Sequence, residues 1–206
     1  MQRIGILGGT FNPIHLGHVI AAQEVLYKMK LDRIIFIPSG CPPHKSNSQL
    51  VSAIDRYKMV RLAIKDNDNF SISDIEINRV GKTYTYDTLI ELHKMYYGNK
   101  LYFIIGFDSL KEMDMWMRAE DLFKLTEFIV VNRGNRDCEM DYEIKKKESL
   151  YGGKIHVVDI PDIGISSTDI RRRVKDGEGI RYLVADEVMN YIKMKGLYTN
   201  EFTEGI

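Results

Sequence analysis

His15-Leu16-Gly17-His18 sets two imidazoles three residues apart where a helical pattern begins. Residues at that spacing share one helical face. Gly17 between them carries no side chain to block access. The N-terminus of a helix favours anions, and imidazole N–H groups there can stabilise charge growing on phosphoryl oxygens. The same pair could instead ligate a metal, which needs a third ligand, and no acidic residue stands at zincin spacing. Two capping or surface histidines are the third reading. Spacing alone leaves all three open.

Immediately upstream runs Gly8-Gly9-Thr10-Phe11-Asn12-Pro13. Two glycines let backbone approach a ligand closely, and amides in such a turn can cradle phosphate. A tight strand-to-helix turn explains the residues equally well. The early glycines fall at 5, 8 and 9, which is not Gly-x-Gly-x-x-Gly, so a hydride-transfer dehydrogenase is poorly supported. Far downstream, Ser166 and Asp169 read as a helix capping box. Ser166, Ser167, Thr168 and Arg171 together could hold a polyphosphate, with the guanidinium one turn into the helix. A plain cap followed by a basic solvated helix is the competing reading, and Arg172 and Arg173 are assigned to it.

These residues need a frame. Ile4 to Leu7 reads as a strand, and His15 to Lys30 as a helix with Val19, Ala22, Val25, Leu26 and Met29 on one side. Ile34 to Ile37 is wholly apolar, as a strand covered on both faces should be. Pro38 to Gln49 is a polar, proline-rich loop. Ser52 can cap a helix running to Ile64. Phe70 to Ile77 alternates like a strand. Tyr86 to Tyr97 is helical with Thr85 as the expected N-cap. Strands at Leu101 to Ile105, Phe128 to Val131 and Ile155 to Val158 alternate with helices at Ala119 to Leu125 and Glu139 to Ser149, the latter so charged that it reads as solvated. Helices at Ile170 to Lys175 and Val184 to Lys193 complete the chain. This alternation predicts an α/β fold, a doubly wound parallel sheet with helices on both faces, in a single domain over 1–198, with 199–206 a disordered tail. Such sheets bind ligands at the carboxyl ends of their strands.

Composition bounds the function. Of 206 residues, 44% are hydrophobic and 28% charged, with 29 basic and 29 acidic side chains balancing to zero. That balance argues against a nucleic-acid partner. The two cysteines, Cys41 and Cys138, lie far apart, so neither a disulfide framework nor a zinc signature is expected. No apolar run approaches the ~20 residues of a membrane helix, and Met1 to Gly9 is too short in apolar residues for a signal peptide. A cytoplasmic location without membrane contact follows, and a homo-oligomer stays open.

The segment from Gly8 to His18 resembles the signature of the nucleotidyltransferase superfamily that carries a His-x-Gly-His motif. Asn12 stands where the usual form has Asp. Ile165 to Arg171 resembles the second signature of that superfamily, which binds triphosphate. Two signatures in the right order weigh more than either alone. Pro42-Pro43-His44-Lys45 and Tyr84-Thr85-Tyr86-Asp87-Thr88-Leu89 resemble elements of bacterial nicotinate mononucleotide adenylyltransferases, with the lysine facing ATP phosphates and the second element facing the nicotinate end. Gly106 and Asp108 match a Gly-x-Asp element near the adenosine. Trp116 matches a tryptophan that stacks on the pyridine ring. Arg133 follows a strand, but Asn132-Arg133-Gly134 departs from the Arg-Pro pattern expected there.

The resemblance implies a Rossmann-like fold and an enzyme joining ATP and nicotinate mononucleotide. It assigns His15, His18, Lys45 and Arg171 to catalysis. Gly8, Gly9, Thr10, Phe11, Gly106, Asp108, Ser166, Ser167 and Thr168 would bind ATP. Asn12, Tyr84, Thr85, Trp116 and Arg133 would bind the second substrate. Mg²⁺ would arrive with the ATP phosphates. A sister transferase acting on phosphopantetheine or on the nicotinamide mononucleotide, and a non-catalytic nucleotide-binding module, are the alternatives.

Overall fold

The computed structural model describes residues 1–41, 50–134 and 138–199. The sheet holds six strands in the order β3-β2-β1-β4-β5-β6, and every pairing is parallel. The strands are β1 (Arg3–Gly9), β2 (Arg33–Pro38), β3 (Phe70–Ile72), β4 (Lys100–Gly106), β5 (Glu127–Arg133) and β6 (Ile155–Ile160). Chain order reverses between β1 and β4, so this is the doubly wound arrangement expected from the alternation, with its crevice at that switch point.

Helices cover both faces, so the strands are apolar on both sides. Along β2, Ile34 and Phe36 join the core beneath α1 (Leu16–Lys28), α2 (Ala53–Ile64), α7 (Ser167–Lys175) and α8 (Asp186–Lys195). Their neighbours Ile35 and Ile37 face the opposite core, under α3 (Thr85–Met95), α4 (Phe107–Lys111), α5 (Ala119–Leu125) and α6 (Cys138–Tyr151). β4 and β5 divide in the same way: Ile104 and Ile129 go to the first core, Phe103 and Phe128 to the second. The period-2 geometry of a strand produces this split.

Three expectations are corrected. The strand expected to reach Ile77 stops at Ile72. Ser73 Oγ accepts the Ile75 N–H, and the Asp74 carbonyl accepts from Ile77 and Asn78, so local turn bonds replace the ladder. The N-cap of α3 is Tyr84, with Thr85 its first helical residue. The charged helix α6 is not wholly solvated: Lys147 is fully buried, its ammonium 2.6 Å from Asp114 Oδ2, while Met140 and Ile144 pack into the second core.

The end of the domain is tied in through Tyr198; all but the first residue of the expected tail lie outside the described residues. Gly196 closes α8 in the left-handed conformation, which glycine adopts at low cost. Leu197 and Tyr198 then turn inward and are buried. Tyr198 Oη donates to Asn12 Oδ1 at 2.9 Å, a bond across 186 residues of sequence. Burial pushes the Tyr198 phenol well above its usual pKa, so it remains a donor at neutral pH. Tyr198→Phe removes that donor and should lower unfolding free energy by about 1 kcal/mol, read as a lower urea midpoint at unchanged slope.

Candidate active site

The segment between β1 and α1 is irregular yet buried: Phe11, Ile14 and His15 are 3%, 0% and 4% exposed. Phe11 sits in the left-handed region at φ 49°, unfavourable for a bulky residue. Its ring earns the position by packing. A Cβ on Gly9 would come within 2.9 Å of it, and it meets His18 edge-on at 5.2 Å. Gly9 is therefore needed because another side chain occupies its space. The peptide bond between Asn12 and Pro13 is cis.

His15 caps α1 and His18 lies one turn in. Their rings stack, centroids 3.7 Å apart. The His15 N–H donates to His18 Nδ1 at 3.2 Å, which places the proton of a neutral His18 on Nε2. His15 is buried behind His18. Desolvation, reinforced by the charge of Arg133, lowers its pKa from 6.5 to about 4, so it is neutral at physiological pH. Its Nδ1 has no hydrogen-bond partner among the described residues.

A cavity of about 700 Å³ opens at the carboxyl ends of the strands, within the ~300–1,000 Å³ of ligand pockets. It is lined by Gly8, Gly9, Thr10 and His18, by Gly106 and Arg133 at the ends of β4 and β5, by Asp108 on α4, and by Tyr84, Thr85 and Trp116. Trp116 is half-buried and meets Phe103 edge-on at 6.2 Å. It belongs to a stretch held at both ends. Asp114 is gripped by Lys147 and Tyr151, and the Arg118 guanidinium lies 4.0 Å over the Tyr86 ring.

The distal motif docks on the first. Ser166 caps α7, accepting the Asp169 N–H as its spacing predicts. Ser167 Oγ donates to the Pro13 carbonyl at 2.8 Å, and Arg171 donates to the Asn12 carbonyl at 2.9 Å and to Thr168 Oγ1 at 3.2 Å. Arg171 Nε is buried without a partner among the described residues. The N-termini of α1 and α7 thus meet at the same loop. Phe11, Asn12, His15, Ser166, Ser167, Thr168 and Arg171 support this corner without lining the cavity. The Asn12 side chain is turned to scaffold: its Oδ1 receives Tyr198 Oη and the Val51 N–H. Lys45 lies outside the described residues.

Sequence reasoning missed two residues. Arg56, read as an ordinary helix position, is fully buried and donates to Thr10, Ser39, Gly40 and Val51. Glu76 lines the cavity and accepts from Thr88 Oγ1 at 2.8 Å. Burial raises its pKa, against the pull of Thr88, Thr83 and Arg79. No periodicity distinguishes a buried arginine from a solvated one; an arginine among Met59, Val60 and Ile64 was the only available hint. Among the described residues no group of three or more His, Cys, Asp and Glu is placed to hold a metal, and no helix is long and apolar enough to cross a membrane.

This switch-point crevice, with a His-x-Gly-His turn against a Ser-capped arginine helix, defines a nucleotidyltransferase site. The cytidylyltransferase-like family model matches residues 6–173. A relative from Desulfitobacterium hafniense (strain Y51), named "Probable nicotinate-nucleotide adenylyltransferase", is 45% identical over 198 residues, 96% of either chain. One of the same name from Thermoanaerobacter sp. (strain X514) is 44% identical, covering 99% of this chain and 98% of its own. The chain belongs to the cytidylyltransferase-like family and, within it, to the nicotinate-nucleotide adenylyltransferases. In fold it is similar to the Plasmodium falciparum nicotinic acid mononucleotide adenylyltransferase complexed with NaAD, with TM-score 0.79, 22% identity and coverage of 96% and 98%.

Two measurements probe the histidine corner. The depressed pKa of His15 means that the unfolded chain binds the extra proton first as pH falls below 6.5. Stability is complete above that value, declines as pH falls toward about 4, and then loses nothing more to this group. The contribution is at most about 3 kcal/mol. His15→Asn should flatten that part of the stability–pH curve in urea unfolding; an equally steep curve would remove His15 as its source. A Cβ on Gly17 would stand 3.0 Å from His15 Nδ1, displacing the ring. Gly17→Ala should therefore lower turnover while stability stays level or rises by up to about 1 kcal/mol from helix propensity.

Proposed function

We propose that this chain joins nicotinate mononucleotide to the adenylyl group of ATP, giving nicotinate adenine dinucleotide and pyrophosphate, in the cytoplasm and in the service of NAD biosynthesis. One observation carries the reading. His18, the Gly8-Gly9 turn, Asp108, Arg133, Thr85 and Trp116 share one cavity, so groups suited to phosphate, ribose and an aromatic ring stand within reach of a single dinucleotide. The names carried by relatives of about the same length support it.

The 5′-phosphate oxygen of the mononucleotide attacks the α-phosphorus of ATP. The bond from that phosphorus to the α–β bridging oxygen breaks, and pyrophosphate leaves with the electron pair. The attacking oxygen is already ionised at neutral pH, so no protein nucleophile is required; positioning and charge stabilisation do the work. His18 Nε2–H donates to the α-phosphate, with His15 packed behind it to fix its ring. Lys45 and Arg171 hold the β- and γ-phosphates as charge accumulates there. Mg²⁺ carried in on the ATP phosphates would supply charge neutralisation at the leaving group. Phosphates approach the α1 and α7 N-termini.

At the other end, Trp116 provides the stacking face for the pyridine ring. Helix α3 opens on the cavity with no side-chain cap. Its first amides beside Thr85 are then available to the nicotinate carboxylate, a group the amide analogue lacks.

Pyrophosphate release with ATP and Mg²⁺ should be fast with nicotinate mononucleotide and slow with the nicotinamide mononucleotide or phosphopantetheine. His18→Ala should cost about 10²–10³ in kcat with an unchanged circular dichroism spectrum. Preference for another acceptor would overturn the substrate, and a near-normal rate in the variant would overturn the role of His18.

A further inference from the structure

Lys147 has no part in the chemistry above, yet it is fully buried. It lies in α6, its ammonium 2.6 Å from Asp114 Oδ2 and 3.8 Å from Glu143 Oε2. The main pair is unequal: the Lys147 side chain is wholly enclosed, while that of Asp114 is 45% exposed. Burying an ammonium is costly, and an apolar side chain of similar length would fill the space without that cost. Removing Lys147 would strand no charge, because water reaches Asp114 and Glu143 keeps Lys146 at 3.5 Å. Stability alone therefore does not account for the lysine. What it supplies is a fixed point for Asp114.

Asp114 is held a second time from the same helix. Tyr151, one turn beyond Lys147 on the same face, donates its Oη to Asp114 Oδ1 at 2.5 Å. The Tyr151 ring is itself fixed by stacking on Phe123, centroids 5.1 Å apart. The bond from Lys147, then that from Tyr151, hold the Asp114 carboxyl below the usual carboxylate range. The segment they grip is a four-residue 3-10 turn, Glu112–Met115, a conformation with poorer internal hydrogen bonds than an α-helix. It ends on Trp116, whose N–H donates to the Met113 carbonyl at 3.0 Å. Met113 is fully buried and secures the turn in the core; Asp114, next in the chain, secures its outer side. Trp116 lines the cavity, whereas Asp114, Lys147 and Tyr151 do not.

We propose that Lys147 and Tyr151 are positioning residues: by clamping Asp114 they hold the turn that presents Trp116, and so set the affinity of the site for the pyridine nucleotide. The inference rests on the proposed function for the stacking role of Trp116. ATP makes no use of that ring in the proposed reaction, so loosening the clamp acts on one substrate and spares the other. A role in packing alone would not divide the substrates in this way. The molecule also carries its own probe, for Trp116 is the one tryptophan in the sequence.

The test compares Lys147→Met and Tyr151→Phe with the parent, in the full chain, by Trp116 fluorescence and by the KM of each substrate. In Lys147→Met, acrylamide should quench Trp116 more steeply than in the parent, with the emission shifted to the red. KM for nicotinate mononucleotide should rise about tenfold, the order of a lost aromatic stack, while KM for ATP holds. Tyr151→Phe keeps the ring on Phe123 and should move both readouts the same way by less. Parental quenching, a parental nicotinate mononucleotide KM, or equal rises in both KM values in folded Lys147→Met would overturn the proposal. If Lys147→Met fails to fold, Tyr151→Phe decides: parental quenching and KM there overturn it equally. Parent protein that does not turn over nicotinate mononucleotide would sink the proposed reaction, while the quenching comparison would still decide whether the clamp holds Trp116.

Discussion

An irregular loop buried at the edge of a parallel sheet has to find partners for its own peptide groups, and here that requirement organises the site. Residues 10–15 form neither helix nor strand, yet Phe11, Asn12, Ile14 and His15 are almost fully enclosed. Buried carbonyls left unpaired cost about 1–3 kcal/mol each. The Thr10 carbonyl is taken by Arg56, the Asn12 carbonyl by Arg171 and the Pro13 carbonyl by Ser167. Three carbonyls of the loop are thus satisfied by α2 and α7, through bonds that span 46 residues from Thr10 and 154 from Pro13. The loop keeps its shape only if the whole domain is assembled around it.

That arrangement gives some residues two duties. In the proposed reaction Arg171 would hold triphosphate while also bracing the peptide that leads into the histidine pair, because one of its nitrogens holds the Asn12 carbonyl. His15 cannot be assigned only to charge stabilisation, because its ring is buried, neutral and stacked beneath His18. Substituting either would move the neighbouring group as well as delete its own, so their effects on turnover should be strongly non-additive.

The readable part of the sequence was the part written in local spacing. Alternating apolar runs gave the doubly wound sheet, because strands covered on both faces have nothing but apolar side chains to offer. Ser166 declared its cap because capping is a contact three residues away. Arg56, Lys147 and Tyr198 did not declare themselves. Each is a polar side chain that meets a partner far along the chain: Arg56 reaches Thr10, 46 residues away, Lys147 meets Asp114, 33 away, and Tyr198 meets Asn12, 186 away. Helical periodicity reports which face a residue occupies, not whether a second element will cover that face. Local competition also misled: the alternation from Phe70 to Ile77 was genuine, but Ser73 and Asp74 close turns with their immediate neighbours, and a short edge strand with a single partner cannot outbid them.

Asn12 shows how the frame resolves a question that the motif raised. The usual acidic residue at this position suggests a carboxylate aimed at substrate or metal. Here the side-chain oxygen instead accepts from Tyr198 Oη and from the Val51 N–H, while the backbone carbonyl of the same residue serves Arg171. All three partners are donors. What the position must supply is acceptor capacity, which an amide oxygen provides as a carboxylate does. A negative charge is not demanded by any of these contacts, and on a residue only 8% exposed it would carry a desolvation cost that the amide avoids. The exchange of a carboxylate for an amide therefore leaves the joint between the first loop, the α2 stem and the C-terminal tyrosine intact. The histidine corner inherits its geometry from that joint rather than from a charge at position 12.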